Sequence, residues 1–131
     1  MSGIECFFTM ELLEGQTFEE RLTNGPFELP ELLRLAIALV DALETAHARG
    51  VLHRDLKPAN LFLSGWGSSR LVKIGDFGLA KAFEETGLSG GTRTGEVGGT
   101  PAFMCRSQVI DFKRSSPEVD VWAMAASLYF M

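Results

Sequence analysis

The sequence predicts an α+β chain, mainly helical, with one small β-hairpin. Three observations carry that expectation. Leu32, Leu35, Ala36, Leu39 and Leu43 recur at helical spacing. Two short apolar runs, LFL at 61–63 and LVKI at 71–74, are separated by SGWGSSR, the pattern of a hairpin with a loose turn. Ser116-Pro117-Glu118 is a strong helix start, and the residues after it are apolar on nearly every side, as in a helix buried inside a larger body.

Taken in order, residues 1–13 contain CFFTMELL, an apolar run of strand length that stops at Gly15 and leads into a linker. Thr17 followed by Glu20 fits a capping box, so Phe18 and Leu22 belong to a short helix closed by TNGP at 23–26. Pro30 and Glu31 open the long amphipathic helix, and Gly50 stops it. The hairpin follows. Between Glu84 and Thr100, glycines at 87, 90, 91, 95, 98 and 99 alternate with Thr and Ser, which predicts a mobile loop.

Bulk properties limit what such a chain does. Its 131 residues are one domain's worth, and 46% hydrophobic content is enough for a real core. A net charge of −5 with no run of like charges argues against a nucleic-acid surface. Cys6 and Cys105 stand alone, as reduced thiols of a cytoplasmic protein do, and no zinc spacing surrounds them. The acidic start MSGIECFFTME lacks the basic region of a signal peptide, and VDVWAMAASLYFM is too short to span a bilayer and contains Asp120. The expected protein is soluble and cytoplasmic.

The chemistry is concentrated in VLHRDLKPANLFL, residues 51–63, where an acid, a cation and an amide are packed between apolar patches. HRDLKPAN at 53–60 and GDFG at 75–78 flank the predicted hairpin in that order. Together they match the catalytic loop and metal loop of protein kinases. The chain therefore resembles a eukaryotic-type serine/threonine protein kinase over nearly its whole length. GGTPAFM at 98–104 looks like the substrate-side loop, DVWAMAASLYFM at 120–131 like the central buried helix, and MELLEG at 10–15 like the hinge. By resemblance the fold is a kinase C-terminal lobe fragment, with residues 1–15 the last N-lobe strand and hinge and 16–131 a truncated C-lobe. The style of LKPAN and GTPAFM is that of the bacterial branch at least as much as any animal one.

Phosphoryl transfer through a loose transition state is catalysed mainly by positioning and charge stabilisation, which is what these residue types supply. The resemblance makes Asp55 the base that orients the substrate hydroxyl, Lys57 the neutraliser of the γ-phosphate, and Asn60 and Asp76 the holders of Mg²⁺, which favours hard oxygen ligands. Lys57 with Pro58 resembles serine/threonine enzymes. ATP would lie against Met10, Glu11, Leu13 and Phe62, although a plain strand methionine and a core phenylalanine are competing readings of Met10 and Phe62. His53 and Phe77 are expected to pack in the core and hold the metal loop. Asp120 is too costly to bury unpaired, and in this family its equivalent accepts hydrogen bonds from the catalytic-loop backbone. His47 is expected to have no catalytic part. Arg54 marks control by phosphorylation, with Thr92 and Thr94, then Ser89, as acceptors; a loop that is never phosphorylated stands beside that reading. Thr100 is expected to hydrogen-bond near Asp55 and Lys57.

The pattern breaks in three places. The four lysines are Lys57, Lys73, Lys81 and Lys113, so no strand lysine and no G-x-G-x-x-G precede the catalytic loop, and the nucleotide-covering lobe is expected to lie outside this sequence. Where the family reads Ala-Pro-Glu, this chain has Cys105-Arg106-Ser107. The later large-lobe helices are absent, so the apolar faces of 118–131 would call for the rest of the lobe or a protein partner. Three readings follow: a kinase fragment inactive by itself, a stand-alone pseudokinase-like protein-binding remnant, and a decayed gene.

Overall fold

The computed structural model describes residues 9–65, 70–77 and 100–131. The predicted glycine-rich loop, with Ser89, Thr92 and Thr94, lies outside these residues, as do Cys6 and most of the apolar run at 1–13. Residues 9–14 have no regular structure. Among the described residues the first strand follows Gly15: β1 (Gln16–Thr17) pairs antiparallel with β2 (Leu61–Ser64), which pairs antiparallel with β3 (Leu71–Ile74). The hairpin appears where the sequence placed it. β1 was not foreseen, because two residues are too few to show a period and the strand exists only through its partner.

Strand alternation decides which side of β2 does what. Leu61 and Leu63 are buried in the core, whereas Phe62 is half-buried and its ring packs against Gly75. Gly15 is required for close approach: with φ +133° it stands so near β2 that a Cβ there would lie 2.0 Å from the Leu63 carbonyl oxygen.

The short helix α1 (Phe18–Leu22) carries the full capping box: Glu20 N–H donates to Thr17 Oγ1 at 3.0 Å and Thr17 N–H to Glu20 Oε2 at 2.8 Å. The long helix α2 (Leu29–His47) buries Leu35, Leu39 and Leu43, and Gly50, with φ +72°, closes the turn beyond it. A helix α3 (Arg106–Ile110), which the sequence pattern did not announce, precedes α4 (Pro117–Phe130). The core joins Phe18 and Phe27 to the α2 leucines, to Leu56, Leu61 and Leu63, and to Ala123 and Met124 of α4. One face of α4 is buried; Val121, Trp122, Tyr129 and Phe130 remain exposed on the other. Among the described residues, no helix is long and apolar enough to cross a membrane.

Candidate active site

The loop between α2 and β2 is held from three directions. Asp120, fully buried on α4, accepts His53 N–H at 2.8 Å through Oδ2 and Arg54 N–H at 2.7 Å through Oδ1. Buried Gln108 of α3 donates its side-chain amide to the Arg54 carbonyl. These bonds grip both sides of a residue with φ +70°, a left-handed conformation that costs a non-glycine residue about 1–2 kcal/mol. The third hold is His53 itself, 1% exposed. Its Nδ1 accepts Asp55 N–H at 3.2 Å, so Nε2 carries the hydrogen and donates to Gly75 O at 2.7 Å. Phe77 packs edge-on against the same imidazole, 4.9 Å between centroids. His53 and Phe77 thus couple the two loops through packing, as the sequence suggested.

His47 has more to do than the sequence suggested. Its Nε2 donates to Asp120 Oδ2 at 2.8 Å, completing three hydrogen bonds on that carboxylate. Nothing in a single helical histidine signals a partner 73 positions away. Gln108 was also missed, since a lone glutamine in a polar stretch gives no hint of burial.

At the centre, both Asp55 oxygens are occupied. Oδ1 accepts Thr100 N–H at 3.0 Å, and Oδ2 lies 3.1 Å from Lys57 Nζ, which also donates to Thr100 Oγ1 at 2.6 Å. Asp55 and Lys57 remain partly open to solvent, with side-chain exposures of 29% and 26%. A substrate hydroxyl can therefore approach a carboxylate whose orientation is already fixed. Asn60 donates Nδ2 to the Asp55 carbonyl at 2.8 Å, and its own carbonyl accepts Gly75 N–H at 2.8 Å. Asp76, next in the chain, is exposed and adopts φ +60°.

Met10, Glu11 and Leu13 face Lys73, Gly75 and Asp76 across an open cleft of about 330 Å³. Lys73 pairs with Glu11 across it. Phe62 is not in the cleft wall; it supports Gly75, where a Cβ would meet its ring at 2.7 Å. Arg54 lies over the Phe112 ring at 5.7 Å. Cys105, where the Ala-Pro-Glu pattern departs, precedes α3 and shares a 3.1 Å hydrogen bond with Ser107 Oγ. Burial pushes its thiol up, but the Ser107 hydroxyl and nearby backbone N–H groups outweigh that and hold it below the ordinary thiol value.

The protein kinase domain model matches residues 2–131. The chain belongs to the protein kinase family. Its relatives place this kinase sequence on the serine/threonine side. It is 34% identical over 112 residues to serine/threonine-protein kinase pkn2 of Myxococcus xanthus, covering 86% of this chain and 14% of that protein. PknK of Mycobacterium tuberculosis is 37% identical over 108 residues, 81% of this chain and 9% of the relative. PkaA of Streptomyces coelicolor is 36% identical over 121 residues, 92% and 22% respectively. The kinase chain thus spans less than a quarter of the length of each of these relatives.

Proposed function

We propose that residues 1–15 form the hinge side and 16–131 the catalytic-loop side of a serine/threonine protein kinase that transfers the γ-phosphoryl group of ATP to protein hydroxyls in the cytoplasm. The observation that carries this reading is the Asp55 carboxylate, fixed by Thr100 N–H and Lys57 yet open to solvent. Asp55 orients the acceptor hydroxyl and takes its proton. Lys57 offsets negative charge on the transferred group. The hinge residues Met10, Glu11 and Leu13 bind the base, with Phe62 beneath Gly75 as support.

The donor set suits Mg²⁺. With its NH₂ committed to the Asp55 carbonyl, Asn60 leaves its side-chain oxygen for a cation, and Asp76 adds a carboxylate. Two protein oxygens are a usual number for Mg²⁺, which takes its remaining ligands from phosphates and water. Bound there, the ion would supply charge neutralisation at the phosphates. Arg54 reads phosphate on Thr92 or Thr94, and Thr100 ties the substrate loop to Asp55.

The 131-residue chain alone is inactive in this reading, because it has no lysine before Lys57 and no glycine-rich motif before the catalytic loop. The test measures two quantities on that chain. Transfer of labelled γ-phosphate to a Ser/Thr peptide should stay at background; incorporation abolished by Asp55→Asn would overturn the inactivity. Binding of a fluorescent ATP analogue should require Mg²⁺ and be lost in Asp76→Ala; undiminished binding in that variant removes Asp76 from the metal site.

A further inference from the structure

The Met10–Asp76 cleft has one wall on a rigid element and the other on a segment with little to hold it. Lys73 belongs to the rigid wall. Its strand, β3, pairs with β2 in the register Phe62↔Lys73 and Leu61↔Ile74, and Gly75 N–H extends the pairing by donating to Asn60 O at 2.8 Å. Val72 and Ile74 pack against the core, so strand alternation turns Lys73 to the other face. There it lines the cleft together with Glu11.

The other wall is residues 9–14, which have no regular structure and leave Met10 and Leu12 exposed. The segment is fixed at its end, where Gly15 lies against Leu63 and Gln16 pairs with that residue. Before that point, among the described residues, it has one polar tie to the rest of the chain: the Glu11 carboxylate accepts from Lys73 Nζ. Glu11 and Gly15 are thus two anchors on either side of Leu13, a residue of the cleft wall. Lys73 is the one cation among the lining residues, against the carboxylates of Glu11 and Asp76. Its pairing with Glu11 leaves the exposed Asp76 carboxylate as the unpaired charge of the cleft.

We infer that Lys73 is a positioning residue for the nucleotide: through its ion pair with Glu11 it holds the 9–14 segment across the cleft from Gly75 and Asp76. The inference rests on the kinase reading above and adds to it a residue that none of the motifs singles out. Lys73 does not stand in for a phosphate-anchoring lysine, because its charge is committed to Glu11. Its effect on the nucleotide is indirect, through the course of the segment that meets the base. An exposed ion pair is worth little as a stabiliser of a fold, but a small free energy suffices to order a short segment with no other polar tie.

The experiment uses the 131-residue chain and two readouts, affinity for the fluorescent ATP analogue with Mg²⁺ and backbone ¹⁵N order parameters of residues 10–14 without nucleotide. Lys73→Met should weaken the analogue about threefold, the scale of one exposed ion pair, and lower the order parameters. Glu11→Gln with Lys73→Met should be no better, whereas the exchange Glu11→Lys with Lys73→Glu should restore both readouts. The two side chains are 35% and 68% exposed, so the affinity ratio of parent to Lys73→Met should approach one as salt rises from about 0.05 to about 0.5 M. Order parameters that Lys73→Met leaves unchanged, or an affinity recovered by neutralising both residues, overturn the inference. Absence of Mg²⁺-dependent binding in the parent, with the order parameters responding as expected, counts against the kinase reading alone. Mg²⁺-dependent binding that is indifferent to Lys73 and to the exchange counts against this inference alone.

Discussion

Replacing Asp120 by alanine should remove the strongest single hold on the catalytic loop. The carboxylate is 0% exposed and accepts the His53 and Arg54 backbone N–H groups and the His47 ring N–H, at 2.8, 2.7 and 2.8 Å. A buried donor left without an acceptor costs about 1–3 kcal/mol. The two backbone donors count in full. His47, whose side chain is 16% exposed, can turn to water and counts least. Removal of a buried charge also relieves some desolvation, which offsets part of the loss. The balance is about 3–5 kcal/mol, a large share of the roughly 5–15 kcal/mol that holds a typical domain together. Equilibrium urea unfolding of the chain, followed by circular dichroism, measures it. With a slope of about 2 kcal/mol per M, the midpoint should fall by about 2 M. Asp120→Asn keeps one acceptor oxygen and should lose about half as much. A destabilisation below about 1 kcal/mol with an unchanged slope, or unaltered amide exchange at His53 and Arg54, would show that Asp120 does not hold the catalytic loop.

Gly15→Ala should destabilise the β1–β2 pairing, since the added Cβ would lie 2.0 Å from the Leu63 carbonyl oxygen at a φ of +133°; a loss of at least about 2 kcal/mol in the same unfolding assay is expected, and a stability within 0.5 kcal/mol of the parent contradicts the close approach. Cys105 should be alkylated with a pH midpoint below that of free cysteine, because a lowered thiol value means more thiolate at any given pH beneath the ordinary one. Ser107→Ala should move that midpoint upward, and an identical profile in the variant would assign the effect elsewhere.

Local chemistry was legible in the sequence and long-range chemistry was not. The capping box at Thr17 and Glu20, the α2 stripe of Leu35, Leu39 and Leu43, and the hairpin strands all depend on neighbours a few residues away, and all are found. The catalytic-loop motif was legible because its residues are crowded into eight positions, 53–60. Asp120 was legible as needing a partner because a carboxylate in an apolar helix is too costly to bury unpaired, and the kinase resemblance pointed to the catalytic-loop backbone as that partner. His47 and Gln108 carried no such contradiction, so their contacts with Asp120 and with Arg54 had no sequence signal. Of the strand expected within 1–13, residues 9–13 have no regular structure, and residues 1–8 lie outside the described residues.

The anchoring of the catalytic loop is drawn from elements that follow it in the chain. Asp120 comes from α4, Gln108 from α3, Gly75 from the end of β3 and Thr100 from the segment before α3. A positive-φ Arg54 is tolerable only when these contacts hold its neighbours, so the geometry of Asp55 depends on packing more than 60 residues downstream, at Asp120. In the proposed reading, positioning of the hydroxyl acceptor belongs to this chain. The phosphate-anchoring lysine and glycine-rich loop that the family uses draw on residues its sequence does not contain ahead of the loop. The two tasks are therefore separable. A chain can hold the Asp55 side in order while leaving the phosphoryl group unactivated, which is why nucleotide binding and transfer have to be measured as different quantities.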